Sequence, residues 1–392
     1  MKSRTGLFAL LVAFAALAVV AAATASPAKQ ARPVAASAAA VPCSSAKIAL
    51  MAPLTGDAGF LGVEQLSWAK YAVAVQNKLL GLKVGLYQGD TQLDPALAST
   101  LAQKYVSDPK TMAIIGPSTS GGVVAAGPTL DAAGLVAISP SATRTSLTIG
   151  GATVGKFFYR DVPNDAIQGP SDANYMIKSL KAKKVYIIDD QETYSTGLAD
   201  AAGAALKAKG VTVIRDSVSQ SVTDFSSIVT KIPGDTDVVF LPWQQPPQAQ
   251  TFAQQMAEQG KKAKIFGSDG TNAPGKFTFK GAYVSNFAPD ITGIPADKAL
   301  VAGWLKLNPG QKVGSFGPPT YGAVQIAMQA IKQACVGGKV TRAAVMAQVP
   351  KVRIKQWLLG GSWGGFTATH DPVGAKFYIF QIQGDGSYKL VG

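Results

Sequence analysis

The chain has 392 residues, of which 47% are hydrophobic and 15% are charged, and its formal net charge is +14. This length is sufficient for two domains with separate hydrophobic cores. The positive charge occurs in short lysine groups such as 181–184 and 261–264, without an arginine-rich arm or an aromatic-interleaved stripe, so a nucleic-acid partner is not supported. One histidine and two distant cysteines cannot make a zinc site, and we expect no metal and no other cofactor.

Residues 1–25 have the order of a secretory signal peptide: a positive start, the apolar run 7–22 and the small-residue cleavage site Ala23-Thr24-Ala25. The apolar run is short for a membrane span, and an uncleaved anchor helix is the alternative. Residues 26–46 are rich in Ala, Pro and Ser and indicate a flexible leader. Cys43 lies about twenty residues beyond the apolar run, whereas a lipid-attachment cysteine directly follows such a run, so a lipid anchor is not favoured. We therefore predict an exported protein, periplasmic or otherwise extracytoplasmic.

Strand and helix patterns alternate from residue 47 onward, which indicates mostly parallel sheets covered by helices on both faces. Asp94-Pro95 is an N-cap followed by proline at the first helical position, a typical helix start. The alternation restarts after 157–160 and forms a second unit of similar size. The predicted elements are, in chain order, strand 48–53, helix 62–77, strand 82–87, a helix from Asp94, strand 111–115, a helix from Ser120, strand 135–139, helix 165–180, strand 184–188, helix 194–209, strand 211–215, helix 224–232, strand 237–241, helix 247–260, strands 264–267 and 282–287, helices 296–307, 320–335 and 341–349, and a hairpin over 376–391.

Two doubly wound lobes joined by a few crossing segments are the natural assembly of these elements, and the predicted fold class is α/β. Ligands of such sheets bind in the crevice beyond the carboxyl ends of the strands. We therefore expect the binding site in the cleft between the two lobes.

One motif points to a different class of protein, a serine hydrolase. Gly360-Gly361-Ser362-Trp363-Gly364 has the spelling of a nucleophile elbow. An elbow needs a helix behind the serine, whereas the sequence of 366–369 favours a strand. The only histidine, His370, also has no acid between it and Ser362, so the expected order of a triad fails. We therefore predict that the protein is not an enzyme, with Ser362 as the remote alternative.

Five segments at predicted strand ends resemble, in the same order, the periplasmic leucine/isoleucine/valine-binding proteins. They are 47–56 (KIALMAPLTG), 115–120 (IGPSTS), 138–143 (ISPSAT), 189–194 (DDQETY) and 267–270 (GSDG). The resemblance covers nearly all of residues 47–392. It implies the type I periplasmic binding fold, in which a hinge joins lobe 1, residues 47–157 and 290–355, to lobe 2, residues 158–289 and 356–392.

The resemblance also implies roles for residues around the cleft. Ser120 and Thr143 would hold the α-carboxylate of an amino acid, and the Ser141 carbonyl and the Thr143 hydroxyl would hold its ammonium group. A serine that follows a strand and opens a helix offers a hydroxyl and free backbone amides to an anion, although the same spacing fits a plain N-cap. Ala142 lies in the same loop, between Ser141 and Thr143.

Four further residues complete the implied site. Tyr194 and Asp269 would close over the ligand from lobe 2, and Asp269 stands where family members often have glutamate. Leu61 and Trp243 would form an apolar wall for the ligand side chain. Trp243 has an alternative role, in which it packs under the Pro246-Pro247 turn.

The implied function is capture of a small amino acid, branched and aliphatic, by a monomer that delivers it to the membrane permease subunits of an ABC importer. The alternatives keep the fold but bind an amide, a urea or an aromatic carboxylate, or act as a sensor. An even cysteine count in an exported protein suggests one disulfide. The family topology returns the chain to lobe 1 after about residue 289, so Cys43 and Cys335 would share a lobe and pair.

Overall fold

The computed structural model describes residues 39–150, 157–287 and 290–392, so the predicted signal peptide and most of the leader lie outside the described residues. Within that part of the chain the strands are β1 Val41–Pro42, β2 Lys47–Ala52, β3 Gly85–Asp90, β4 Thr111–Ile115, β5 Val136–Ser139, β6 Phe158–Arg160, β7 Lys184–Asp189, β8 Thr212–Ser217, β9 Val238–Leu241, β10 Lys264–Gly267, β11 Tyr283–Asn286, β12 Lys339–Val340, β13 Tyr378–Ile382 and β14 Tyr388–Leu390. The helices are α1 Gly59–Leu80, α2 Pro95–Ser107, α3 Ser120–Ala132, α4 Asp165–Lys178, α5 Thr193–Lys207, α6 Ser226–Lys231, α7 Pro246–Glu258, α8 Lys298–Leu307, α9 Gly317–Ala334 and α10 Arg342–Gln348.

Lobe 1 is built on a parallel sheet of five strands in the order β3-β2-β4-β5-β6. All residues of β4 and β5 are buried, as expected for strands covered on both faces. One face packs against α1, α9 and α10, and the other against α2 and α3. Because β3 and β4 lie on opposite sides of β2, the strand order reverses there, and the loops after β2 and β4 open a crevice at the carboxyl edge.

Lobe 2 repeats this plan with seven strands in the order β14-β13-β11-β10-β9-β7-β8. The strands β7 to β11 are parallel, and β13 and β14 run antiparallel at one edge. Helices α4 and α5 cover one face and α6 and α7 the other. The predicted fold class, two doubly wound α/β lobes, is thereby confirmed.

The lobe boundaries differ from the prediction in two places. The prediction places Phe158–Arg160 in lobe 2, but this segment pairs with β5 as the last strand of lobe 1. The prediction also places Trp363 in lobe 2, but this residue is buried in the lobe 1 core. Asp371 is likewise tied to lobe 1, because its carboxylate forms a buried ion pair with Arg160 at 2.6 Å. The final crossing into lobe 2 therefore falls after Asp371 and before β13.

Strand β3 begins at Gly85, three residues later than predicted, because α1 ends in a hydrogen-bonded turn just before it. Gly81 closes α1 in the left-handed region with φ +63°. Asn77 then holds the connection: its side chain donates to the Val84 carbonyl at 3.0 Å and accepts from the Val84 amide at 2.9 Å. Residues 82–84 are thus part of the turn, and β3 starts at Gly85.

The end of the predicted leader is an ordered part of lobe 1. Val41–Pro42 pairs with Lys339–Val340, and the Cys43 amide donates to the Gly338 carbonyl at 2.9 Å. A disulfide joins Cys43 to Cys335, with their Cα atoms 6.1 Å apart. The leader therefore ends before Val41 rather than at 46. Among the described residues, no helix combines the length and the apolar character that a bilayer crossing needs.

Candidate ligand-binding cleft

The lobe 1 side of the cleft begins with the amino end of α3. Thr119 is the N-cap, since its side chain accepts from the Gly122 amide at 3.3 Å. Ser120 is therefore the first helical residue and not the cap. Its hydroxyl is buried and accepts from the Arg144 amide at 3.3 Å, which ties it to the loop after β5. The amino end of α3 therefore offers a ligand both the positive end of the helix dipole and the Ser120 hydroxyl group.

The loop after β5 is folded by serine side chains. The Ser139 hydroxyl donates to the Pro117 carbonyl at 2.7 Å and accepts from the Ala142 amide at 3.0 Å. The Ser141 hydroxyl donates to the Ser118 carbonyl at 2.7 Å and accepts from Gln65 Nε2 at 3.0 Å. Because the Ser141 hydroxyl is used inside lobe 1, the backbone is the part of Ser141 left for a ligand.

Thr143 connects this loop to lobe 2. Its carbonyl accepts from the backbone amide of Asp165, the first residue of α4, at 2.9 Å. Its hydroxyl is buried close to the Asp165 carboxyl, and neither this hydroxyl nor the two Asp165 carboxylate oxygens has a hydrogen-bond partner among the described residues. Thr143 therefore stands where the two lobes meet.

The lobe 2 side carries a hydrogen-bonded network around Asp269. Asp269 Oδ1 accepts from the Tyr194 hydroxyl at 2.6 Å and from Gln168 Nε2 at 2.7 Å. Gln168 Nε2 also donates to the Ser285 hydroxyl at 3.0 Å, and Ser285 in turn donates to Asp172 at 3.1 Å. The network joins α4, α5 and β11 to the turn after β10, so the position of Asp269 is fixed before any ligand arrives.

Asp165, Asp172 and Asp269 form a buried acid cluster, and none of the three forms an ion pair within the described residues. Burial raises the pKa of Asp269 to about 6, against the hydrogen bonds from Tyr194 and Gln168. Burial and the nearby charge of Asp269 raise the pKa of Asp165 to about 7. Burial likewise raises the pKa of Asp172 well above its ordinary value. Arg160 and Arg144 lower the pKa of Asp165 from beyond ion-pair distance, but no cation lies within ion-pair distance of the three carboxyls among the described residues, and a ligand can supply one.

Leu61 belongs to a small apolar cluster that lies between the lobes. Its other buried members come from the segments that cross between lobes and from the residue before α9: Val162, Phe287, Phe316 and Phe377, with Phe60 packed against them. The rings of Phe60 and Phe287 both meet Phe316 edge to face, with centroids 5.8 and 5.6 Å away. Sequence reasoning missed Phe316, which only its position just before a helix could have indicated.

Trp243 does not line the cleft. Its side chain is 1% exposed and lies in the core of lobe 2 between Phe225 and Phe252, with ring centroids 5.3 and 5.5 Å away. The indole Nε1 donates to the Ile188 carbonyl at 2.7 Å. These contacts give the buried indole both the apolar neighbours and the acceptor that it needs, so the structure favours a packing role in the lobe 2 core over a place in the ligand wall.

The Ser362 motif has none of the geometry of a nucleophile elbow. Ser362 is exposed in an irregular segment with no strand directly before it and no helix directly after it among the described residues. His370 is engaged elsewhere: its ring stacks on Tyr159 with centroids 4.0 Å apart, and Nδ1 lies 2.9 Å from the Phe158 carbonyl oxygen.

Sequence reasoning also missed Gln168 and Asp165, although both lie one turn apart at the start of a predicted helix. Asn164 caps that helix by accepting from the Ala166 amide at 2.9 Å, so Asp165 is free to face the cleft. Polar residues at a helix start are usually explained as caps. A cavity of about 700 Å³ with both polar and apolar lining residues also lies in lobe 1, between α1, α8, α9 and 355–361, but none of the predicted ligand residues lines it.

Comparisons with known proteins agree with this architecture. The family described as periplasmic binding protein matches residues 45–387. An amino acid binding protein of Pseudomonas aeruginosa is 32% identical over 286 residues, which cover 70% of this chain and 73% of that protein. The Leu/Ile/Val-binding protein BraC3 of Rhizobium johnstonii is 32% identical over 298 residues, which cover 73% of this chain and 79% of that protein.

The fold is also that of a solved structure. The leucine binding protein LivK of Thermotoga maritima superposes with a TM-score of 0.79 at 22% identity, covering 88% of this chain and 98% of that one. The chain belongs to the periplasmic binding protein family, whose members bind solutes and are not enzymes, and its relatives there include Leu/Ile/Val-binding proteins.

Proposed function

We propose that the protein is the extracytoplasmic solute-binding component of an ABC importer and that it encloses a small amino acid between its lobes. The observation that carries the proposal is the buried acid cluster of Asp165, Asp172 and Asp269, which forms no ion pair within the described residues. A buried carboxylate is costly unless a cation compensates it. The ammonium group of an amino acid supplies that cation.

The carboxylate of the ligand binds at the amino end of α3. Ser120 places a hydroxyl there, and the first backbone amides of the helix point in the same direction. Thr143 adds an amide and a hydroxyl from the neighbouring loop. The ligand carboxylate thus exchanges water for fixed donors and a favourable helix dipole.

The ammonium group binds between Asp269 and the loop of Ser141 and Thr143. Asp269 Oδ1 already accepts from Tyr194 and Gln168, so its other oxygen is the one available to the ligand. The Ser141 carbonyl and the Thr143 hydroxyl are neutral acceptors. Asp269 therefore provides the negative charge that compensates the ammonium group, and the Ser141 carbonyl and Thr143 hydroxyl orient it through hydrogen bonds.

The side chain of the ligand lies against Leu61 and Phe316. Both are buried in an apolar cluster that offers neither charge nor a hydrogen-bonding side chain. Such a wall favours a branched aliphatic side chain over a polar one. The similarity to proteins named as Leu/Ile/Val-binding proteins supports the same choice.

The protein acts as a hinge that closes on its ligand. Lobe 1 holds the amino acid first, lobe 2 brings Asp269 over it, and the permease subunits of the importer recognise the closed monomer. Export rests on the predicted signal peptide 1–25. The intact mass of the exported protein should correspond to a chain that begins at Ser26, and acyl mass on a chain that begins at Cys43 would contradict this prediction.

The assignment is tested by calorimetry with matched ligands. Leucine, isoleucine and valine should bind. 4-Methylpentanoate is leucine without its amino group and cannot compensate the charge of Asp269, which costs at least about 2 kcal/mol of binding free energy. It should therefore bind at least about 30-fold more weakly, since each 1.4 kcal/mol is a factor of ten. The amine 3-methylbutylamine, which lacks the carboxylate, should also bind weakly. Tighter binding of benzoate, acetamide or urea than of any amino acid would overturn the proposal.

A further inference from the structure

Arg144 is fixed by its backbone to the residues that would hold the ligand. It directly follows Thr143, its amide donates to the Ser120 hydroxyl at 3.3 Å, and its carbonyl accepts from Arg160 Nη1 at 2.9 Å. Arg160 is fully buried and also donates to the Ala142 carbonyl at 3.0 Å. The position of Arg144 therefore depends on the same loop that would bind the ligand carboxylate.

The side chain of Arg144 leaves this loop and crosses to lobe 2. Its Nη1 donates to the Thr193 carbonyl and, at 3.1 Å, to the Thr196 hydroxyl oxygen, both in the first turn of α5. Its Nε remains in lobe 1 and donates to the Ser146 hydroxyl at 2.9 Å. Tyr194, which binds Asp269, lies in the same turn of α5.

The surface of α5 is shaped to receive this side chain. A Cβ atom on Gly197 would lie 2.9 Å from Arg144 Nη1 and 3.0 Å from its Cγ, so only glycine leaves the arginine room. A second close approach lies beside it, where a Cβ atom on Gly121 of α3 would be 2.5 Å from Glu192 Oε1. Two glycines, one on each lobe, thus permit contact across the same rim of the cleft.

The amino end of α5 carries the positive end of the helix dipole, which disfavours the positive charge of Arg144. The carboxylate of Glu192 offsets this repulsion. Glu192 is the N-cap of α5, and its carboxylate accepts from the Tyr194 amide at 3.2 Å. The guanidinium therefore meets a helix end whose dipole is already countered by a carboxylate.

We propose that Arg144, Thr193, Thr196 and Gly197 form a clasp that exists only in the closed state and makes Arg144 a positioning residue for ligand retention. This inference rests on the proposed function, because it assumes that a ligand binds at Ser120 and Thr143. The clasp touches no ligand. It shifts the equilibrium toward the closed state, so it slows release, which requires opening, and leaves capture by the open state unchanged.

The magnitude follows from the bonds that are lost. Hydrogen bonds from a charged donor stabilise more than neutral ones, and both bonds of Arg144 to α5 break when the lobes separate. Since the side chain is only half-buried, we expect about a tenfold loss of affinity in Arg144→Ala, nearly all of it as a faster dissociation rate. Arg144→Lys should restore part of the loss, and Gly197→Ala should reproduce it by displacing the guanidinium.

The matched control is Arg215→Ala. Like Arg144, Arg215 is a partly exposed arginine, but it belongs to lobe 2. Its ion pairs with Asp189 at 2.7 Å and Asp200 at 3.3 Å stay within that lobe. Its removal should change the affinity and the dissociation rate less than about twofold. Circular dichroism and thermal unfolding of all variants show whether they fold.

The experiment measures association and dissociation rates by stopped flow, and the closed fraction by energy transfer between dyes on Leu307 and Glu258. Both residues are exposed, and they lie on different lobes. A dissociation rate and a closed fraction in Arg144→Ala equal to those of the wild type would overturn the clasp while leaving the proposed function intact. If the wild type binds no amino acid, the proposed function fails and the retention role of Arg144 fails with it, whatever the closed fraction of Arg144→Ala.

Discussion

Replacing Asp269 by asparagine keeps the size of the side chain and removes its charge. The asparagine carbonyl can still accept from the Tyr194 hydroxyl and from Gln168 Nε2, which lie 2.6 and 2.7 Å from Asp269 Oδ1. The lobe 2 network therefore survives. What changes is the group that we propose to face the ammonium of the ligand, which becomes an uncharged amide.

The size of the effect depends on what else can compensate the ammonium group. Removing one member of a buried charge pair costs about 2–5 kcal/mol, much of it from the partner that is left without compensation. Asp269 is 3% exposed, so water does not replace the lost charge. Asp165 and Asp172 remain nearby, however, and their raised pKa values allow one of them to ionise instead. We therefore expect the lower part of the range, about 2–3 kcal/mol, or roughly a 30- to 150-fold loss of affinity.

Calorimetric titration of leucine into wild type and Asp269→Asn measures this loss directly. Asp200→Asn is the matched control, because Asp200 lies on α5 of the same lobe but its side chain is 75% exposed. The control should bind within about threefold of the wild type, since exposed ion pairs contribute little. Leucine binding by Asp269→Asn within threefold of the wild type would show that Asp269 does not compensate the ammonium group.

Three further predictions follow from the same geometry. The proposed pairing with the ligand ammonium stabilises ionised Asp269, whose ligand-free pKa is about 6. Leucine affinity should therefore be full above pH 7 and fall by up to about tenfold per pH unit below pH 6. A flat profile in pH titration calorimetry would contradict this prediction. Trp243→Phe leaves the buried Ile188 carbonyl without its donor, so urea unfolding should show a free energy of unfolding lower by about 1–3 kcal/mol. Ligand selectivity should not change, and altered selectivity would show that Trp243 contributes to the cleft. The Cys43–Cys335 disulfide closes a separation of 292 residues, so replacing both by serine should lower the unfolding temperature and cost up to about 5 kcal/mol, and two labelled thiols in the unreduced wild type would refute the bond.

Local sequence pattern was enough to predict most of the strands and helices and the edge of each sheet at which we place the candidate site. Alternating strands and helices specify parallel sheets, and in a parallel sheet all carboxyl ends of strands meet at one edge. Ser120, Thr143, Tyr194 and Asp269 each follow a strand, so their positions at the cleft could be predicted from local pattern and family resemblance. The hydrolase motif could also be rejected locally, because no helix pattern follows Ser362.

The direction of each side chain and the grouping of distant residues at the candidate site depend on tertiary packing. Trp243 also follows a strand, yet it turns inward, because its indole nitrogen finds the Ile188 carbonyl and its ring finds Phe225 and Phe252. The residues after a strand have no fixed periodicity, so packing sets their direction. The acid cluster and the Arg144 clasp likewise join residues far apart in the chain, and only the approach of the two lobes, which local sequence does not encode, brings them within hydrogen-bonding distance.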